Sequence, residues 1–125
     1  FEYVGGIMPL KTYPDCYRRG REISERHGIP YTVTGRCIGP GHGMMFAWTY
    51  AFNRADPETI NQARQALHET DDLVLDLGGV IWKPGLYGQK LLIERLDPNT
   101  RKLMARVKQL LDPNGIMNPG NWEVG

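Results

Sequence analysis

The spacing of apolar residues along the chain switches between two periods, and the switches mark its elements. Residues 1–9 are rich in β-branched, aromatic and glycine residues up to Pro9, which predicts a short strand. Thr12 and Pro14 then supply a helix start. Cys16, Gly20, Ile23 and His27 follow at spacings of three and four until Gly28 ends the run. Across 31–38 the period falls to two, with Thr32, Thr34, Arg36 and Ile38 on one side and Tyr31, Val33, Gly35 and Cys37 on the other. The glycine-rich stretch Gly39-Pro40-Gly41-His42-Gly43 reads as a turn. Residues 44–52 return as a strand with Met44, Phe46, Trp48, Tyr50 and Phe52 on one face, completing a hairpin.

Asp56-Pro57 caps a long helix, with Glu58 placed against its positive end. Ile60, Ala63, Leu67, Thr70, Val74 and Leu77 repeat along it until Gly78-Gly79. Val80-Ile81-Trp82 predicts a short fourth strand. Two more helices follow over Leu86–Arg95 and 99–111, the second capped by Asp97-Pro98 and carrying a stripe of Leu103, Val107, Leu110 and Leu111. The order β-α-β-β-α-β is the split βαβ arrangement of a ferredoxin-like α+β fold, in which both helices cover one face of an antiparallel sheet. Large aromatics at every second position are mostly core under helices, which favours Phe46, Trp48, Tyr50 and Phe52 in the core with Met45, Ala47, Thr49 and Ala51 as the smaller floor of the other face. An aromatic substrate pocket is the alternative, and the sequence leaves open which face is which. That second face needs a partner: another domain, a subunit or a ligand cavity.

Composition narrows the classes. In 125 residues with 41% hydrophobic content there is room for one core. Fifteen Lys and Arg against fourteen Asp and Glu leave a formal charge of +1 without a long run of one sign, so nucleic acid and anionic membrane surfaces are not expected partners. No stretch approaches the roughly 20 apolar residues of a membrane helix, and the expected setting is cytoplasmic. Cys16 and Cys37 form no Cys-x-x-Cys pair, so both are read as buried free thiols and no metal site is expected.

Asp112-Pro113-Asn114-Gly115 is a helix exit, because proline fixes φ and Asn-Gly tolerates the left-handed geometry that reverses a chain. Ile116-Met117 and a second turn, Asn118-Pro119-Gly120, follow at once, and an apolar tail with two tight turns is more readily pressed into a groove than left free. The segment 102–120, KLMARVKQLLDPNGIMNPG, resembles the closing helix and tail of flavin-linked oxidases of the vanillyl-alcohol oxidase type. The hairpin YTVTGRCIGPGHGMMFAWTYAFN followed by a long helix is similar in order and length to the cap of their phenol-oxidising members.

What the resemblance implies is a division into a cap over 1–111 and a tail over 112–125 that returns to a flavin-binding domain absent from this chain. Asn118, Pro119 and Gly120 would lie close to FAD, although the lysine that commonly follows the Pro-Gly is here Asn121. The strand after the hairpin turn offers no nucleophile near its start, which implies non-covalent FAD. Where relatives carry a Tyr-Arg pair to hold a phenolate, this chain has Val80-Ile81-Trp82-Lys83 and then Tyr87. Lys83 is the candidate cation and Trp82 a stacking wall, since a buried phenolate needs a compensating charge.

His42, in the turn, is the other candidate catalytic group, as acid, base or donor; an exposed loop histidine is the plainer alternative. Arg36 is the candidate for holding a carboxylate bidentately. With Trp82 and Tyr87 it completes the expected substrate set. The activity implied is hydride removal from an alcohol, hydroxy acid or para-alkyl phenol, within an oligomeric enzyme acting on a small molecule. A stand-alone binding or regulatory module that dimerises through its sheet face remains the alternative, because ferredoxin-like sheets host many functions.

Overall fold

A computed structural model describes residues 1–122, and the chain divides into two compact units, Phe1–Pro84 and a second beginning at Gly85. The first holds strands β1 (Glu2–Pro9), β2 (Tyr31–Ile38), β3 (Gly43–Tyr50) and β4 (Val80–Trp82), with helices α1 (Tyr13–His27) and α2 (Pro57–Asp76). The second holds helices α3 (Leu86–Arg95) and α4 (Pro98–Leu111) and the described tail.

The four strands form one antiparallel sheet in the order β2-β3-β1-β4, the topology expected of a split βαβ fold. Both helices lie on the face lined by Val4, Met8, Met44, Phe46, Trp48, Tyr50 and Ile81, all buried. Polar tips decide this orientation as much as area does. Trp48 Nε1 donates to the Cys16 carbonyl on α1 at 3.0 Å. Thr70 Oγ1 donates to the Ala66 carbonyl at 2.7 Å, so it accepts from the Tyr50 hydroxyl, also at 2.7 Å. Each large aromatic therefore buries its ring and satisfies its polar atom on a helix. Gly20 makes the close approach of α1 possible, since a Cβ there would lie 2.4 Å from two atoms of the Trp48 indole.

The helix ends follow the expected chemistry. Asp56 accepts from the Glu58 N–H at 3.0 Å at the start of α2, and Gly28 closes α1 at φ 62° while Ile29 N–H reaches back to the Ser24 carbonyl at 3.1 Å. Several expectations need correction. Thr12 does not cap α1: its hydroxyl donates to the Pro9 carbonyl within a short 3₁₀ turn, Leu10–Thr12, that leads into the helix. The third strand ends at Tyr50, so Phe52 leaves the aromatic stripe and is only half-buried. Cys16 is buried, but Cys37 is exposed, because β2 is an edge strand.

In the second unit Ile93, Gly88 and Gln89 of α3 are buried, whereas no residue of α4 is. The stripe Leu103, Val107, Leu110 and Leu111 formed as a helix face but stays exposed, Leu110 at 80%. The two tail turns are present, closed by Gly115 N–H to the Asp112 carbonyl at 3.1 Å and Asn121 N–H to the Asn118 carbonyl at 3.2 Å. Positive φ at Gly115 (64°), Asn118 (49°) and Gly120 (82°) reverses the chain. Residues 123–125 of the expected tail lie outside the described residues.

Candidate functional site

Because side chains alternate along a strand, filling one sheet face with aromatics fixes what the other presents. That face carries Tyr3, Gly5 and Ile7 from β1, Met45, Ala47 and Thr49 from β3, Thr32, Thr34, Arg36 and Ile38 from β2, and Val80 and Trp82 from β4. Neither α1 nor α2 covers it. Tyr3, Ile7, Ile38, Val80 (58% exposed) and Trp82 (39%) form an apolar surface of the kind that soluble domains reserve for a partner or ligand.

The register arranges these residues in rows across the strands. Arg36, Met45, Ile7 and Val80 form one row; Thr34, Ala47, Gly5 and Trp82 form the next. The second row is low, with one Thr, one Ala and one Gly, and it ends at an indole. A Cβ on Gly5 would lie 3.3 Å from Trp82 Cε3 and 3.7 Å from Tyr3 Cε2, so both rings converge over a position without a side chain. Lys83 follows β4 at φ 58°, a left-handed conformation uncommon outside glycine, and its Nζ lies 5.0 Å from the Trp82 ring centroid. A cation over an exposed indole contributes about 0.5–1 kcal/mol, enough to bias the ring toward one orientation.

The expected site residues are thus partly gathered. Arg36, Trp82 and Lys83 share the open face or its edge, and among the described residues Arg36 has no carboxylate within salt-bridge distance. His42 is exposed in the β2–β3 turn, where its carbonyl accepts from Leu10 N–H at 3.1 Å. Strand spacings put it about 20 Å from Lys83, at the opposite end of the sheet, so the two candidate catalytic groups are not brought together. Tyr87 is half-buried on the first turn of α3, and Asn118, Pro119 and Gly120 form the exposed second tail turn.

Three features were not anticipated from sequence. The tail is held by Asp112, whose side chain accepts from Ile116 N–H at 3.0 Å and Met117 N–H at 2.9 Å and pairs with Lys108 Nζ. Lys108 and these backbone donors hold its carboxyl below the usual carboxylate range. Lys108 also donates to the Met117 carbonyl at 2.6 Å. The far end is tied by Gln89, which donates to Asn121 Oδ1 at 3.3 Å and accepts from Trp122 N–H at 2.9 Å. Between α4 and the tail runs an open apolar groove of about 560 Å³, lined by Leu103, Val107, Leu111, Met117 and Trp122 among others. The i, i+4 spacing of Lys108 and Asp112 was the available signal for this clamp.

The second feature is Gly5, visible in sequence only as part of a strand. The third is Asp71, 6% exposed on α2, whose carboxyl is pushed up to about 7 by burial and then by neighbouring Asp72. Elsewhere on the helices, Glu69 of α2 pairs with Arg26 and with His27 Nε2 at 2.8 Å on α1. Among the described residues no cluster of three or more His, Cys, Asp or Glu is placed to hold a metal ion, and no helix is long and apolar enough to cross a membrane.

Comparison with known proteins gives a consistent result. The family model of the C-terminal domain of FAD linked oxidases matches residues 7–122. A D-lactate dehydrogenase of Archaeoglobus fulgidus is 28% identical over 121 residues, covering 95% of this chain and 26% of that protein. An uncharacterized FAD-linked oxidoreductase of Mycobacterium tuberculosis is 31% identical over 122 residues, covering 95% of this chain and 25% of its own length. This chain therefore spans about a quarter of the curated relatives it matches. Among solved structures, a 4-ethylphenol oxidase from Gulosibacter chungangensis in an isoeugenol complex superimposes with a TM-score of 0.82 at 23% identity, over 98% of this chain and 24% of that one.

Proposed function

The chain belongs to the C-terminal domain family of FAD-linked oxidases, and from that premise we propose that it is the cap of a larger flavin-dependent oxidoreductase, its open sheet face forming the substrate-side wall of the active site. The family match sets aside the stand-alone regulatory module. The observation that carries the reading is the open face itself, apolar, low along one row and bordered by Trp82, Lys83 and Arg36.

The residues present fit one half of an FAD site. A sheet face that neither α1 nor α2 covers, with the small residues Ala47 and Thr34 beside the Trp82 indole, suits a planar ring system and a substrate lying against it. A glycine-rich strand-to-helix turn with converging N–H groups is a common diphosphate cradle, and β1 enters α1 instead through Pro9 and a 3₁₀ turn. The diphosphate half is therefore assigned to a separate flavin-binding domain, with residues 1–111 acting as cap and the tail from Asp112 reaching toward it through Asn118, Pro119 and Gly120. When bound, FAD supplies the hydride acceptor.

The chain's own residues orient and neutralise. Trp82 stacks on the substrate, Lys83 compensates charge developing on its oxygen and Arg36 receives an anionic group, whereas His42, about 20 Å from Lys83, lies out of reach of the same reacting atoms. Covering the face excludes water from the reacting carbon. The substrate class is an alcohol, hydroxy acid or para-alkyl phenol, and the flavin is held non-covalently within an oligomeric assembly.

The test is anaerobic mixing of the purified full-length protein with a 2-hydroxy acid, a benzylic alcohol and a 4-alkylphenol. Bleaching of a bound flavin by one of them is expected, as is an unmodified chain mass after denaturation. A colourless protein with no flavin would sink the reading, and flavin still attached to this chain would overturn the non-covalent part.

A further inference from the structure

Arg36 and Trp82 lie on the same face in adjacent rows but three strands apart, which strand spacing converts to about 16 Å between their Cα atoms. Between them Gly5 is buried under the Trp82 and Tyr3 rings, and the row is low from Ala47 to Thr34. From Trp82 the row passes Gly5, which has no side chain, and Ala47, and ends at Thr34 beside Arg36. Val80, Ile7 and Met45 line one side of this trough, and Tyr3 and Thr49 the other. The indole is held over Gly5 and carries Lys83 Nζ 5.0 Å from its centroid. The guanidinium has no carboxylate partner among the described residues.

We propose that the trough takes an aromatic carboxylate: its ring lies over Ala47 against the exposed side of Trp82, and its carboxylate is received by Arg36. This rests on the reading of the open face as the substrate wall and specifies its ligand. Each end selects one feature. An indole packed over Gly5 offers its exposed side for stacking and apolar contact with a flat ring, and a bulkier residue at position 5 would displace Trp82. A planar guanidinium presents two parallel donors that match a carboxylate, and an apolar floor weakens competition from water. Arg36 stands on a three-carbon stem, so its guanidinium can reach along the row toward the carboxylate of a ring stacked beside Trp82. Gly5 thereby becomes a specificity-determining position, since its missing side chain sets where the Trp82 indole lies.

The experiment titrates the full-length protein with cinnamate, with cinnamyl alcohol as its neutral counterpart, and with propionate as an acid without a ring. Binding is read by perturbation of the flavin spectrum and, independently, by quenching of Trp82 fluorescence with a Trp82→Phe variant as blank. Cinnamate should bind about 10- to 100-fold tighter than either control, the range expected of a charge-assisted bidentate contact. Arg36→Met should reduce cinnamate to the level of cinnamyl alcohol and leave the alcohol unchanged, with Arg36→Lys recovering part of the loss. Gly5→Val should weaken both aromatic ligands and leave propionate unaffected. Equal cinnamate affinity in wild type and Arg36→Met, or propionate binding as well as cinnamate, would overturn the proposal. An Arg36-dependent quench in a protein lacking flavin would support this ligand and sink the oxidoreductase reading; flavin reduction without that quench would do the reverse.

Discussion

Replacing Gly20 with alanine tests what sets the distance between α1 and the sheet. On helix propensity alone the change should help, since glycine inside a helix costs about 0.5–1 kcal/mol relative to alanine. The packing opposes it. The added Cβ would sit 2.4 Å from both Cδ1 and Nε1 of Trp48, where about 3.5–4.0 Å is comfortable. The indole cannot step aside freely, because it is fully buried and its Nε1 is bound to the Cys16 carbonyl one turn earlier on the same helix. Moving the helix outward instead loosens the Cys16, Ile23 and Trp48 contacts together. Overpacking of this kind costs about 1–3 kcal/mol, and losing the buried indole hydrogen bond adds about 1–3 kcal/mol. After the propensity gain, a net loss of about 1–5 kcal/mol is expected. Urea denaturation followed by tryptophan fluorescence should show a lower midpoint at unchanged slope. In a Trp48→Leu background the same change should become neutral or favourable, giving a positive coupling in the double-mutant cycle. A Gly20→Ala protein as stable as its parent would refute the claim that this contact sets the helix–sheet spacing.

Two further outcomes follow from titrating groups. Asp71, with its carboxyl raised from 3.8 to about 7, favours folding while protonated, so its contribution is complete below pH 3.8 and is lost as pH rises through about 7. The shift corresponds to about 4 kcal/mol, and retained hydration reduces this to about 2 kcal/mol. Asp71→Asn should therefore stabilise the protein at pH 8 and leave it nearly unchanged at pH 4, as read by thermal unfolding at both values; stabilisation equal at both would contradict the assignment. Asp112 runs the other way, because its carboxyl is held low: the tail clamp is present above the ordinary carboxylate range and released as pH falls through the depressed value. Asp112→Ala should accelerate amide exchange at Ile116 and Met117, and unchanged exchange would show that the turns hold themselves.

The fold was largely legible because its signals are local. Period-two aromatics on 44–50, the Asp56-Pro57 cap and the Gly28 and Gly78 stops each specify an element within a few residues. Which face those aromatics take was left open by the sequence, and the bonds of Trp48 and Tyr50 to the two helices supply a reason that no single segment contains. The site was less legible. Arg36 and Trp82 carry chemistry that marks them in isolation, but Gly5 matters only through a ring that approaches from a strand more than seventy residues away. Asp71 falls outside the apolar repeat of its helix and so reads as solvated, although it is buried. The exposure of the α4 stripe was missed for the opposite reason: amphipathicity reports that a helix has an apolar face, and not what covers it.

β3 is laddered on both sides along its whole length, to β1 and to β2. A single-residue deletion inside it would carry Phe46, Trp48 and Tyr50 to the open face, bring Met45, Ala47 and Thr49 beneath the helices, and misalign two neighbours at once. Insertions at the exposed Gly39–His42 turn leave both ladders in step. Point substitutions along the outward row keep both ladders in register, and so do changes in length at the turn that bears His42.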